Sequence, residues 1–186
     1  MRELSNGMNL PNTLTIFRIL LVPVFVIFII QNNLNMALAI FILAGITDGL
    51  DGFIARILDQ KTVIGAYLDP IADKFLLISA YLSLTIKEML PDWLTVIVVS
   101  RDIIIITGVV VLSVMDKSPA IRPSILSKMT TVFQILTIGW ILFYAKPQGS
   151  LLSLLIIITA VLTVLSGLLY IYRGTKIMGE SNKPTS

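Results

Sequence analysis

The chain has 186 residues, 56% of them apolar and only 13% charged, against about 25% charged in an ordinary soluble domain. A soluble protein of this size could not hide that much apolar surface, and the same composition excludes a disordered chain and a secreted disulfide scaffold. There is no Cys and no His, so thiolate and imidazole chemistry are excluded, and any metal or acid–base chemistry must run on Asp and Glu.

Six apolar stretches follow one another: Leu14–Ile30, Leu34–Arg56, Val63–Ile86, Trp93–Met115, Ile125–Ala145 and Leu151–Tyr172. Each suits a helix of about 20 residues crossing about 30 Å of hydrocarbon. Short polar separators carry the breakers, as in Gln31-Asn32-Asn33, Asp59-Gln60-Lys61 and Lys146-Pro147-Gln148-Gly149. The fold class expected is all-α integral membrane, with six transmembrane helices in one bundle and one domain over 1–186. Residues 1–12 are expected as a short interfacial segment and 179–186 as a flexible tail. The first stretch is read as an uncleaved helix, because Arg18 interrupts it and the next apolar run follows within a few residues.

The net charge of +3 is no nucleic-acid footprint, because the basic residues mark the ends of apolar runs. Nine (Arg2, Arg56, Lys61, Lys117, Arg122, Lys128, Arg173, Lys176 and Lys183) lie on the side of the N-terminus, and only Lys87 and Lys146 on the other. That asymmetry predicts both termini in the cytoplasm.

Acids inside an apolar span cost about 2.5–3.5 kcal/mol each on insertion scales, so they call for a function. Asp48 and Asp51 end the second span, and Asp69 and Asp73 begin the third. Asp48 and Asp51 are three apart and share a helix face; Gly65, Asp69 and Asp73 form a stripe at intervals of four. Asp48 is eight residues from Arg56 and Asp73 eight from Gly65. In antiparallel neighbours, both acids would lie about 12 Å from the cytoplasmic turn. Four such carboxylates cannot stay ionised together without cations, and oxygen ligands suit Mg²⁺ or Mn²⁺, with two ions a natural number. Gly52, Ala55 and Gly65 would let a bulky ligand approach, and Arg56 would offer a forked donor to a phosphate. A proton or ion relay in a small transporter, an aspartate-rich prenyltransferase and a purely structural membrane protein are the competing readings. Gly45 and Gly49, four apart, are read as a helix-packing notch.

Together the residues read Asp-x-x-Asp-Gly-x-x-Ala-Arg, eight residues, then Gly-x-x-x-Asp-x-x-x-Asp. This pattern resembles the signature of the CDP-alcohol phosphatidyltransferases, with Asp48, Asp51, Gly52, Ala55, Arg56, Gly65, Asp69 and Asp73 all in place, and the length and six spans are similar too. The resemblance implies transfer of phosphatidyl from CDP-diacylglycerol to an alcohol, with release of CMP. It implies that Asp48, Asp51, Asp69 and Asp73 hold two divalent ions and that Asp73 also takes the proton of the acceptor hydroxyl. Gly52, Ala55, Arg56 and Gly65 would seat the CDP-lipid. Asn12-x-Leu14-Thr15-x-x-Arg18 is similar to the family's first-helix segment, which adds Asn12 and Thr15 to that set. A homodimer in a bacterial-type inner membrane, with its site toward the cytoplasm, is implied as well.

The acceptor is read from the cations of the later spans. Arg101 and Lys128 are expected to bind an acceptor phosphate, although Arg101 could instead pair with Asp102. Ser100-Arg101-Asp102, with Val109 eight residues further on, is more similar to the family's cardiolipin-forming branch. The branch that uses glycerol 3-phosphate shows Ala-Arg-Glu and a second Arg at those places. A phosphodiester carries one charge and a terminal phosphate nearly two, so Val109 favours phosphatidylglycerol as acceptor, with glycerol 3-phosphate the alternative.

Overall fold

Apolar runs bounded by Asn, Pro and charged residues fold into helices. The computed structural model describes residues 10–57, 63–114, 124–144 and 149–180, with side chains over 13–50, 72, 74–108, 124–144 and 149–175. Among these residues there are six α-helices and no strand: α1 (Leu10–Ile30), α2 (Leu34–Ile57), α3 (Val63–Ile86), α4 (Asp92–Val114), α5 (Ile125–Tyr144) and α6 (Ser150–Glu180). The spans expected from hydropathy coincide with α3 and differ by one residue from α4 at both ends and from α5 at one end. Residues 10–12 are helical and continuous with α1, and α6 runs on through Glu180, past the expected end of its span at Tyr172 and into the first two residues of the expected tail 179–186. Pro11 fits the first turn of a helix, where its missing N–H has no intrahelical partner to lose. The more polar residues beyond Tyr172 continue as helix, because hydropathy marks where a span ends and not where hydrogen bonding does.

The helices form two compact units. The first contains α1, α2, α3 and the end of α5 from Ile138; the second contains α4, α5 up to Thr137, and α6. In the first unit, α1 packs on both α2 and α3. The buried face of α2 runs Leu34, Ala37, Phe41, Ala44 and Thr47, at steps of three or four. That stripe meets Leu21, Phe25 and Ile29 of α1, with the Phe25 and Phe41 ring centroids 5.9 Å apart. On α3 it is Ala72, Leu76, Ala80 and Leu84 that are buried. Ala37, Ala44, Ala72 and Ala80 bring backbones close, the usual means of packing helices where lipid tails are as apolar as the side chains. In the second unit, α4 packs on α6.

Two helix ends in the first unit close in the same way. Asn32 has φ +58° and Glu88 φ +57°. The N–H of Asn33 bonds the Phe28 carbonyl at 2.9 Å and that of Asn32 the Ile29 carbonyl at 3.0 Å. Met89 and Glu88 repeat this on Leu84 and Thr85. These are Schellman closures, with a left-handed residue just past the helix. Lys87 Nζ donates to the Ile30 carbonyl at 2.8 Å and tethers the end of α1 to that of α3.

The described surface is apolar like the core, and the core also holds polar groups. Buried positions include Thr15, Arg18, Arg101, Asp102, Thr130, Gln134, Thr137 and Thr159, whereas Phe17, Leu20, Ile27, Val96, Ile106, Val132 and Leu168 face outward. Helices whose solvent is hydrocarbon distribute their residues in this way. Among the described residues, three windows are long and apolar enough to cross a membrane: Thr13–Ile30, Ile125–Tyr144 and Ser150–Thr175. Leu34–Leu50 and Lys74–Ile86 are shorter apolar helical segments. Both border the charged stretch that carries the candidate site.

Candidate active site

The stripe that buries α2 against α1 leads straight to the first acid of the motif. Asp48 lies four residues beyond the buried Ala44 and next to the buried Thr47, whose Oγ1 donates to the Ala44 carbonyl at 2.8 Å. Asp48 therefore sits at the edge of the helix packing, with its side chain 46% exposed. Arg18 of α1, fully buried, reaches it: Nη2 stands 3.1 Å from Asp48 Oδ1. Arg18 lies on the same helix face as the buried Leu21, Val22 and Phe25, so the packing that seats Phe25 also turns the guanidinium inward. Thr15, one turn earlier on that face, is buried too.

The remaining motif residues are set on helical backbone. Asp51, Gly52, Ala55 and Arg56 belong to α2, and Gly65, Asp69 and Asp73 to α3. Asn12 belongs to α1. The side chains of these eight lie outside the described residues, as does the separator 58–62. The helical backbone does give the intervals assumed for them, three residues between Asp48 and Asp51 and four between Asp69 and Asp73. An aspartate-only donor set of this kind fits a hard divalent cation.

Arg101 is held differently from an open phosphate ligand. Its Nη1 is 2.7 Å from Asp102 Oδ1, and Nη2 donates to Ser127 Oγ at 2.6 Å and to Ser166 Oγ at 2.9 Å. The arginine side chain is 4% exposed and the aspartate fully buried. The pairing with Asp102, stated above as the alternative for Arg101, is the one the fold adopts. Gly167 admits the stem of Arg101, since a Cβ there would stand 3.6 Å from Cγ. Arg101 Nε is buried with no hydrogen-bond partner. Lys128, next to Ser127, is exposed.

Sequence reasoning did not foresee Ser166 as a partner of Arg101 or Asp48 as a partner of Arg18. The signal for the second was present: a charged residue in the most apolar helix requires an acid, and the acids of the motif were the ones at hand. Gly45 and Gly49 receive no neighbouring helix among the described residues. A Cβ at either would meet nothing within 4 Å among the described residues, and both face outward. The close approach occurs at Gly108 instead, where a Cβ would stand 2.6 Å from Tyr170 Cε1.

Comparison with known proteins agrees with the motif. Residues 8–165 match the family described as CDP-alcohol phosphatidyltransferase. The human cardiolipin synthase (CMP-forming) is 33% identical over 92% of this chain, which spans 64% of that protein's length. The CDP-diacylglycerol–glycerol-3-phosphate 3-phosphatidyltransferase of Haemophilus influenzae is 36% identical, over 88% of this chain and 91% of its own. A probable phosphatidylglycerophosphate synthase of Mycobacterium tuberculosis is 35% identical, over 96% and 87% respectively. With the acid pattern on α2 and α3 and a match over most of its length, the chain belongs to the CDP-alcohol phosphatidyltransferase family.

Proposed function

We propose that this protein transfers a phosphatidyl group from CDP-diacylglycerol to phosphatidylglycerol, releasing CMP and forming cardiolipin. The observation that carries the reading is the eight-position acid, glycine and arginine pattern set on two helices, α2 and α3, of a chain with outward-facing apolar surfaces. All six helices cross the membrane in one bundle, both termini face the cytoplasm, and the site opens to that side of a bacterial-type inner membrane. The active form is a homodimer.

Asp48, Asp51, Asp69 and Asp73 hold two Mg²⁺ or Mn²⁺ ions. Bound there, the ions supply charge neutralisation for the diphosphate and for the charge that develops on the attacking and leaving oxygens. The protein's own groups do the rest. Arg56 donates to the diphosphate, and Gly52, Ala55 and Gly65 leave space for the nucleotide, with Asn12 and Thr15 bordering it. The Asp73 carboxylate accepts the proton of the acceptor hydroxyl. The hydroxyl oxygen forms the new bond to the phosphatidyl phosphorus, and the bond from that phosphorus to the bridging oxygen of CMP breaks.

The acceptor reading has structural support. Arg101 is bonded to Asp102, Ser127 and Ser166, and among the described residues Lys128, next to Ser127, is an exposed cation that can take the acceptor's phosphate. One cation suits a phosphodiester with one charge better than a terminal phosphate with nearly two. The Haemophilus and Mycobacterium relatives favour glycerol 3-phosphate as the second reading. CMP release by the purified protein, with CDP-diacylglycerol and Mn²⁺ or Mg²⁺, decides between them. Turnover is expected with phosphatidylglycerol and none in EDTA; turnover with glycerol 3-phosphate alone would establish the second reading. Val109→Arg should raise use of glycerol 3-phosphate.

A further inference from the structure

A fully buried guanidinium in the most apolar helix of the protein needs an anion, and Arg18 has Asp48 at 3.1 Å. The two ends of this pair differ in a way that matters. Arg18 is sealed between helices, whereas nearly half of the Asp48 side chain stays open. A buried arginine cannot leave to find water. The exposed carboxylate can still take a second cation. We infer that Arg18 is a resident counter-ion for Asp48: it balances the carboxylate when no divalent ion is bound, and any arriving metal must bind against it. The inference rests on the reading of Asp48 as a metal ligand.

Three consequences follow from the geometry. Without metal, Arg18 stabilises the packing of α1 on α2 by answering a charge that would otherwise stand alone at the helix edge. With metal, the fixed positive charge lies beside the ion and opposes it, since like charges at short range in a medium of low polarity repel strongly. Arg18 therefore weakens divalent-ion affinity while keeping the site assembled between binding events. This makes Arg18 a positioning residue that acts through Asp48, and it gives the variant an effect opposite to that of simple damage.

The test uses full-length protein in detergent, with Mn²⁺ alone as the probe, read by electron paramagnetic resonance of free Mn²⁺ and by melting temperature in EDTA. Arg18→Gln should lower the metal-free melting temperature and tighten Mn²⁺ binding by about 5- to 150-fold, the usual range for coupled binding. Arg18→Lys should restore both values toward those of the unmodified protein. Combining Arg18→Gln with Asp48→Asn should recover the metal-free melting temperature, because both charges are then gone. If Arg18→Gln leaves Mn²⁺ affinity unchanged or weakens it, the inference is wrong and Arg18 is only structural. If the unmodified protein binds no Mn²⁺, the metal reading of Asp48 fails along with the inference.

Discussion

Replacing Arg101 by Met tests whether the sealed pair in the second unit is architecture or acceptor site. The substitution leaves Asp102, fully buried, without its Nη1 partner at 2.7 Å, and removes the bonds to Ser127 and Ser166. Removing one member of a buried ion pair costs about 3–5 kcal/mol, because a charge is left behind in a medium that does not solvate it. Each hydrogen bond to the guanidinium adds up to about 1.5–3 kcal/mol, though the contributions overlap because one group makes them all. Taking about 3 kcal/mol as the net loss, the melting temperature should fall by about 6–12 °C for a chain of this size. The double variant Arg101→Met, Asp102→Leu removes both charges and should return close to the original stability. Thermal unfolding in detergent measures the three proteins, and acceptor KM is measured on the same preparations. If the pair is architecture, the double variant recovers stability and acceptor KM together. A double variant that recovers stability but raises acceptor KM at least tenfold would refute this account and return Arg101 to the acceptor's phosphate. A single variant with unchanged melting temperature would refute the buried-pair energetics themselves.

Other substitutions probe the packing. Gly45→Ala, at an outward-facing helix position with nothing within 4 Å of the added methyl, should stabilise by about 0.5–1 kcal/mol, whereas Gly108→Ala, 2.6 Å from Tyr170 Cε1, should cost about 1–3 kcal/mol in thermal melts. Glu88→Gly relieves a left-handed residue at φ +57° and should stabilise by about 1 kcal/mol, visible as slower amide exchange at the end of α3. Thr137→Val breaks a 2.9 Å hydroxyl contact with Thr159 and should cost only about 0.6 kcal/mol, the average for such bonds in membranes, with Thr159→Val adding less than its own value because both hydroxyls use the Phe133 carbonyl.

Much of this protein is legible in its sequence because the dominant constraint is one-dimensional. A span must be apolar over a fixed length, and that rule finds six helices and sets α3 from Val63 to Ile86 without a structure. It fails where the constraint stops. Nothing in hydropathy tells a helix to end at Tyr172, and α6 continues to Glu180. The acid pattern is legible for a related reason: acids in spans are rare, and helical intervals turn four of them into a spatial hypothesis. Gly45 and Gly49 meet no neighbour among the described residues, because small residues permit close packing without requiring it, and only the fold shows which face has a neighbour. Arg101 with Asp102 was hard to read for another reason. Adjacent residues on a helix point about 100° apart and do not ordinarily meet. A long guanidinium can fold back, and here hydroxyls from α5 and α6 hold it in that posture.

The two arginine–aspartate pairs show what sequence could not separate. Both place a guanidinium inside an apolar helix packing, and by residue type they are the same interaction. Exposure divides them. Asp102 has no open surface and its Oδ1 is taken by Arg101, so the pair is sealed among the helices of its unit. Asp48 keeps 46% of its side chain open while Arg18 keeps none, so the same chemistry there leaves a carboxylate that is held and still available. In hydrocarbon a sealed pair fixes helices, whereas an open carboxylate keeps room for a further partner. The acid pattern of α2 begins at the open end, on the residue where the buried stripe of that helix runs out.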